Sequence, residues 1–200
     1  MALTKQAVFH KNEILFQENK DLKNRMIDYS ILEAENNHLK ELLGRIPEKN
    51  SFILANILTK PNNSPYDTII IDTGNDNGLK EGSLVYADEK IPVGVVSSVY
   101  SNTSLVSLYS NPGTITDAVM DGSNVNVELT GRGGGNFEMI VAKDLNLVVG
   151  GTVVIPGTNS AVLAIIDAVI SSPSDPNQKV ILHSPVNIQQ QKWVLVKNKK

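Results

Sequence analysis

Residues 3–43 carry one long helical pattern, which constrains the fold more than any other feature of the sequence. Apolar residues recur there at seven-residue spacing, and the segment contains no proline and no glycine before Gly44. A helix of this length spans about 60 Å at 1.5 Å per residue, which exceeds the width of a small domain. The pattern therefore predicts a coiled coil between chains, with a monomeric helix packed on its own domain as the alternative.

The heptad register predicts which side chains meet in this coiled coil. The spacing shifts by three residues between Met26 and Tyr29, which would locally overwind the supercoil. Glu18 then faces Lys23 of a second helix, an attractive pair that favours two parallel helices in register. The predicted dimerisation seam consists of Val8, Asn12, Leu15, Asn19, Leu22, Met26, Tyr29, Leu32, Asn36, Leu39 and Leu43.

Three asparagines in the predicted seam favour a defined dimer. Asn12, Asn19 and Asn36 would each meet their own copy across the seam. A buried asparagine pair lowers stability but fixes register and strand number, because any slip leaves an amide unpaired. We therefore predict that the chain binds itself as a parallel homodimer, which could join a higher assembly.

After Gly44 the sequence changes to a strand-forming pattern. All nine prolines lie at or after Pro47, and short runs rich in Val, Ile, Leu and Thr alternate with turn clusters. With no helical pattern between them, these runs indicate antiparallel barrels or sandwiches. The predicted strands are 52–59, 68–73, 83–87, 93–99, 105–109, 114–119, 125–130, 137–142, 152–155, 162–170, 179–183 and 192–196.

The number of predicted strands divides more naturally into two small barrels than into one core. The sequence thus predicts a mainly β fold with a long N-terminal α-helix, in which a coiled coil precedes two small antiparallel six-stranded β-barrel subdomains. The predicted domains are the helix at residues 1–46, a first barrel at 47–112 completed by the strand at 190–197, and a second barrel at 113–189. We place the crossover between the barrels at residues 113–122.

Charge and composition exclude several classes of function. The net charge of -3, without a basic stripe, argues against nucleic acid as a partner. The absence of cysteine excludes disulfides and thiolate metal sites. No apolar run is long enough for a membrane helix, and a coiled coil that starts at the second or third residue indicates an excised part of a longer protein.

Candidate catalytic groups are few. His183 is the only histidine in the β region, so a Ser-His-Asp triad would have to use it. No serine lies in a nucleophile-elbow pattern, and a locally bonded histidine is the simpler interpretation. Candidate partners for such a triad are Asp117, Asp167, Ser160 and Ser184.

Two further motifs resemble ligand-binding loops, but their residues favour turns. Residues 131–135, Gly-Arg-Gly-Gly-Gly, lack the Gly-Lys-Ser/Thr ending of a phosphate loop and lie between strands, which favours a hairpin tip. Asp72, Asp76 and Asp88 could suggest calcium, but Asn-Asp-Asn-Gly at 75–78 is ordinary turn chemistry. We therefore predict no catalytic residue, no metal site and no cofactor.

Four short motifs follow the helix in a defined order. Ile-Asp-Thr-Gly at 71–74 is followed by Gly-Leu-Lys-Glu-Gly at 78–82, Val-Gly-Val at 93–95 and Thr-Ser-Leu-Val at 103–106. This order resembles the MreC family of bacterial rod-shape-determining proteins, and residues 144–154 and the closing strand at 193–196 also resemble family segments. The residues that match family motifs, and to which we assign structural roles, are Asp72, Gly74, Gly78, Gly82, Gly94 and Ser104.

The chain departs from the family pattern in two places. Ile-Pro-Gly at 155–157 stands where the family has a Thr-Ser-Gly-type turn, and the strand after it lacks the usual glycine. The N-terminal membrane helix of the family is also missing, which indicates the extracytoplasmic part of such a protein.

The resemblance implies a non-enzymatic scaffold of the elongation machinery that coordinates peptidoglycan synthesis outside the cytoplasmic membrane. The implied partners are a second copy, a class B penicillin-binding transpeptidase, MreD, RodA, and the membrane through an N-terminal helix absent from this chain. We expect an exposed apolar patch on a barrel to be the binding surface. The alternatives are a periplasmic adaptor of an export or efflux assembly, which would need a helical hairpin, and a chymotrypsin-like protease.

Overall fold

The computed structural model describes residues 5–42, 52–61, 66–123, 125–157 and 160–197. Helix α1 (Lys5–Leu42) runs without interruption for 38 residues, which confirms the predicted long helix. All its side chains from residue 7 to residue 39 are exposed. The predicted end at Gly44, and Leu43 of the seam, lie outside the described residues. No helix in the described part of the chain has the length and apolar character needed to span a membrane.

The first barrel is a closed antiparallel sheet that combines both ends of the β region. Its strand order is β1–β12–β3–β4–β5–β2, so the last strand of the chain lies between β1 and β3. Each of its strands is bonded on both sides, which leaves no free strand edge. The strands are β1 (Phe52–Thr59), β2 (Thr68–Ile71), β3 (Leu84–Asp88), β4 (Ile91–Val99), β5 (Ser104–Leu108) and β12 (Trp193–Lys197).

The second barrel is closed in the same way from the intervening part of the chain. Its strand order is β10–β11–β8–β7–β6–β9, again antiparallel throughout. The strands are β6 (Ile115–Met120), β7 (Asn126–Gly133), β8 (Asn136–Ala142), β9 (Thr152–Ile155), β10 (Ala161–Ser171) and β11 (Asn177–His183).

Each barrel has its own apolar core, built from alternate residues of its strands. In β2, Ile69 and Ile71 point inward and are fully buried, whereas Ile70 between them faces outward. Val180 and Leu182 of β11 play the same part in the second barrel. Because successive strand residues point to opposite sides, a closed barrel buries one half of each strand and exposes the other.

The predicted fold class is confirmed, and every predicted strand has a counterpart whose bounds differ by three residues or fewer. The largest difference is in β7, which continues to Gly133 although residues 131–136 read as a turn. Gly131 pairs with Phe137 and Gly133 with Asn136, so the glycines extend the ladder instead of ending it. The chain passes between the barrels twice, at residues 109–114 and at residues 184–192. The sequence pattern placed the first of these connections at 113–122, most of which forms β6.

Candidate partner-binding surface

The outer side of the first barrel carries a continuous group of apolar side chains, which we call the apolar face. The register explains its continuity, because Leu54 of β1 lies opposite Leu195 of β12, which lies opposite Tyr86 of β3. Residues from distant parts of the chain thus become neighbours. The apolar face consists of Phe52, Leu54, Leu58, Leu84, Tyr86, Trp193 and Leu195.

Several members of this face are largely exposed. Leu54 is 64% exposed, Leu58 57% and Trp193 53%. The Phe52 and Tyr86 rings meet edge to face with centroids 5.6 Å apart, so the aromatic groups are held in place. Contiguous exposed apolar patches are uncommon on soluble monomers and mark sites of association. Because the barrel has no free edge, a partner would bind here through side chains and not by adding a strand.

A hydrogen-bonded pair supports the edge of the apolar face. Asn56, which lies opposite Trp193, donates from its backbone N–H to Asp72 Oδ1 at 2.7 Å and from Nδ2 to Asp72 Oδ2 at 2.6 Å. The hydrogen bond from the Asn56 side chain is the main reason that the pKa of Asp72 lies below its usual value. These hydrogen bonds join β1 to the residue that follows β2. They lie beside Leu58, where the pairing register of β1 with β2 shifts.

The predicted family-motif residues all lie in the first barrel or its turns. Gly78 and Gly82 have positive φ angles of 76° and 80°, which favour glycine. A Cβ on Gly94 would lie 2.3 Å from the Ser107 carbonyl oxygen, so the two strands approach too closely for any other residue. Ser104 is buried and donates to the Thr73 carbonyl at 2.7 Å. These contacts support the barrel, and none of the six belongs to the apolar face.

The outer side of the second barrel is charged where the first is apolar. Glu138 lies between Arg132 and Lys179, with N–O distances of 2.9 and 2.8 Å. Hydrogen bonds from Arg132 and then Lys179 lower the pKa of Glu138. Exposed apolar side chains also occur here, such as Ile140, but Ile140 pairs with Lys179 across the strands.

The residues considered for catalysis do not assemble into a triad. His183 Nδ1 lies 2.7 Å from Asp167 Oδ1, and both side chains are about half exposed. The Ser184 hydroxyl accepts the backbone N–H of Val186, and within the described ranges no hydrogen bond joins a serine to His183. The His183–Asp167 pair therefore has no nucleophile positioned against it.

The loops considered as ligand sites form turns and make hydrogen bonds within the chain. Gly133, Gly134 and Gly135 form the tip of the β7–β8 hairpin with positive φ angles, and the Gly133 N–H donates to Ser110 O at 2.6 Å. No group of three or more His, Cys, Asp or Glu residues suited to a metal ion occurs in the described part of the chain. The hairpin-tip interpretation thus agrees with the geometry.

The helix exposes more apolar surface than the seam prediction includes. Phe9 and Phe16 are each 67% exposed, and they directly follow the seam positions Val8 and Leu15. Their seven-residue spacing was a visible signal, and they would widen the apolar stripe on that side of the helix. The seam residues from Val8 to Leu39 all lie on the exposed helix, and their pairing with a second chain stays a prediction.

The described residues thus comprise a long exposed helix and two closed six-stranded barrels, one of which carries an apolar face. The sequence model of "Rod shape-determining protein MreC, barrel core" matches residues 57–198. The chain belongs to this family, which confirms the resemblance seen in its motifs. Among curated protein sequences the search found no match.

Several solved structures share this fold. MreC of Listeria monocytogenes has 18% identity and a TM-score of 0.72, covering 95% of this chain and 97% of that one. MreC of Pseudomonas aeruginosa has 19% identity and a TM-score of 0.67, covering 73% and 98%. MreC in a complex with penicillin-binding protein PBP2 from Helicobacter pylori has 8% identity and a TM-score of 0.53, covering 75% and 99%. At these identities the likeness concerns the fold.

Proposed function

We propose that this chain is an extracytoplasmic scaffold of the bacterial cell-shape machinery that binds a class B penicillin-binding transpeptidase through the apolar face. Family membership supports the cell-shape role. The Helicobacter pylori relative forms a complex with PBP2, which supports the class of partner. Another relative is described as a major periplasmic domain, which supports the location. Anchoring through an upstream membrane helix, and association with MreD and RodA, belong to the same proposal.

The observation that carries the partner-binding proposal is the apolar face itself. Trp193 lies two residues from Leu195 on β12 and diagonally across from Leu54 on β1, and it is half exposed in the free chain. Large aromatic side chains surrounded by aliphatic ones supply most of the binding free energy at protein interfaces. A partner that covers Trp193 would therefore bury apolar area that the fold itself leaves in water.

Two physical effects would let such a scaffold act on an enzyme without catalysing a reaction. Binding one conformation of the transpeptidase more tightly than another shifts its population towards that state. A dimer with two apolar faces would also hold two enzymes close together and raise their effective concentration.

The test of the partner-binding surface compares Trp193→Ala with Ile140→Ala by calorimetric titration against the soluble transpeptidase of the same organism. We expect Trp193→Ala to weaken binding about thirtyfold, the size of an interface hot spot, and Ile140→Ala to leave it unchanged. Both side chains are more than half exposed, so both variants should keep the melting temperature of the parent chain. Equal binding by Trp193→Ala and the parent would contradict the assigned surface, and no binding by the parent would contradict the function.

Dimerisation through α1 is the second part of the proposal. Its described side chains from residue 7 to residue 39 are exposed, including the apolar seam, so a second helix would cover surface now in water. We expect light scattering behind size exclusion to give a dimer for the whole chain and a monomer for a chain that starts at Asn50. Asn36→Leu should raise the melting temperature and broaden the range of oligomers. A monomer in all cases would contradict the seam.

A further inference from the structure

The first and shorter of the two connections between the barrels, residues 109–114, is hydrogen-bonded to both of them. Ser110 lies at its centre and is fully enclosed, with 4% of its surface exposed. Its hydroxyl donates to Asp67 Oδ2 of the first barrel at 2.5 Å. Its carbonyl oxygen accepts the N–H of Gly133, in β7 of the second barrel, at 2.6 Å. Ser110 thus binds β7 of the second barrel through its carbonyl and the Asp67 carboxylate of the first barrel through its hydroxyl.

Asp67 makes the first-barrel side of this contact strong. It is 4% exposed, and a buried carboxylate is costly unless hydrogen bonds satisfy it. Its backbone N–H donates to Asn111 Oδ1 and its carbonyl accepts the Leu108 N–H, both at 3.0 Å. Asp67 therefore binds the connection by its side chain and its backbone N–H, and it binds the end of β5 by its carbonyl. Moving Ser110 away would leave the carboxylate buried without this donor.

The second-barrel side of the contact depends on a close backbone approach. The Gly131 N–H donates to Thr114 O at 2.8 Å, and the Gly113 N–H donates to Gly131 O at 3.0 Å. A Cβ on Gly131 would lie 2.3 Å from the Asn111 carbonyl oxygen, so only glycine fits here. The connection is thus hydrogen-bonded to β7, and it cannot move away from this strand without breaking these backbone hydrogen bonds.

We propose that Asp67, Ser110 and Gly131 form a latch that holds the two barrels as one rigid body. Free connections between domains allow relative motion by default, whereas this one is hydrogen-bonded to both barrels. The latch presents the apolar face and the charged side of the second barrel in one fixed arrangement. A rigid arrangement would favour partner binding, because less conformational entropy is lost on association. This benefit rests on the proposed function, whereas the latch itself does not.

The test measures the distance between the barrels in the free protein. The chain contains no cysteine, so spin labels attach only where cysteine is introduced. Labels at Glu81→Cys and Asp144→Cys report one position in each barrel, and an excess of unlabelled chain removes distances between copies. We expect a narrow distance distribution for the parent and a broader, shifted one for Ser110→Ala and for Asp67→Asn.

Ser104→Ala is the matched control, because it removes another buried serine hydroxyl whose bond to Thr73 stays within the first barrel. It should lower stability without broadening the distance distribution. Hydrogen exchange gives an independent readout, since Ser110→Ala should speed exchange of the Gly131 and Gly133 amides about tenfold.

Three results would overturn the latch: a broad distribution in the parent chain, an unchanged distribution in folded Ser110→Ala, or equal broadening by Ser104→Ala. If Asp67→Asn does not fold, Ser110→Ala decides the question alone. None of these measurements uses the transpeptidase, so a failed latch and a failed partner proposal are distinguishable.

Discussion

The two barrels share an architecture and differ in strand order and in the side chains on their outer surfaces. Each closes six antiparallel strands around its own apolar core, yet three adjacent strands of the first barrel carry apolar side chains on their outer side. The outer side of the second barrel carries the Arg132–Glu138–Lys179 ion-pair network. The inward half of each strand is constrained by packing, whereas the outward half can vary without disturbing the core. The difference shows that two barrels with separate apolar cores can carry unlike outer surfaces.

The largest effect is expected from crowding the first barrel. Gly94→Ala places a Cβ 2.3 Å from Ser107 O and 2.9 Å from Leu108 Cα, both backbone atoms that cannot move aside. We expect a loss of about 2–3 kcal/mol in the free energy of unfolding, measured by urea titration. Trp193 is the single tryptophan and lies in the first barrel, so its fluorescence follows that barrel directly.

Gly157→Ala in the second-barrel region is the matched control for crowding, because its Cβ would meet no atom within 4 Å and its φ is not positive. It should change stability by less than about 0.5 kcal/mol. If Gly94→Ala were equally harmless, the two strands would not approach as closely as the structure describes.

Alkaline pH should show how Tyr109, the first residue of the connection at 109–114, depends on the second barrel. Tyr109 follows β5, donates its N–H to Val93 O, and packs its ring against the second core. Burial raises the pKa of Tyr109 from 10.0 to about 12, with a smaller contribution from Tyr86. The folded state thus binds this proton more tightly than the unfolded state, so stability is full below pH 10 and falls as the pH rises towards 12.

Tyr109→Phe should remove this part of the alkaline loss, about 2 kcal/mol between those limits, as measured by urea titration at increasing pH. Tyr100→Phe, which removes the hydroxyl of an exposed tyrosine, is the matched control. The same slope in Tyr109→Phe and in the parent would show that the ring is not held in the second core.

Acid pH should affect the first barrel through Asp72. The hydrogen bond from the Asn56 side chain, first among several causes, lowers its pKa from 3.8. Its contribution is therefore present above pH 3.8 and lost as the pH falls through the lower folded-state pKa. Because the carboxylate is exposed, we expect a loss of only a few degrees in melting temperature for Asp72→Asn. At a pH well below the folded-state pKa, Asp72→Asn and the parent should melt together, and a difference that persists there would contradict this account.

The smallest effect is expected from Glu138→Gln in the second barrel. Its partners are the cations Arg132 and Lys179, whereas Asp72 is held by a neutral amide. Ion pairs at a surface are weak and screened by salt. The melting temperature difference between Glu138→Gln and the parent should therefore shrink at high salt, while that of Asp72→Asn stays the same. If the two variants depended equally on salt, the contacts of Glu138 and Asp72 would not differ as an ion pair differs from a hydrogen bond to a neutral amide.

Local patterns were sufficient to predict the elements of this fold. The seven-residue spacing before Gly44 predicted the helix, and period-two alternation with intervening turns predicted the strands. The ordered motifs around Asp72, Gly94 and Ser104 predicted the family, which is now confirmed. The domain boundaries, the dimerisation seam and the roles of the motif residues stay predictions.

The apolar face could not be predicted because its members are far apart in sequence. Leu54 and Leu195 are separated by most of the β region, and only the strand order that places β12 between β1 and β3 makes them neighbours. An outward leucine on one strand is unremarkable by itself. The latch was hidden for the same reason, since Asp67 and Ser110 lie 43 residues apart.

The sequence by itself determined which segments are helix or strand, since backbone propensity, periodicity and turn chemistry are local properties. It also determined that each strand has an inner and an outer side. The tertiary structure alone decided which outer sides join into one surface and which buried groups satisfy each other. That decision depends on strand order and register, which arise from the simultaneous closure of both barrels and are encoded in no single stretch of the chain.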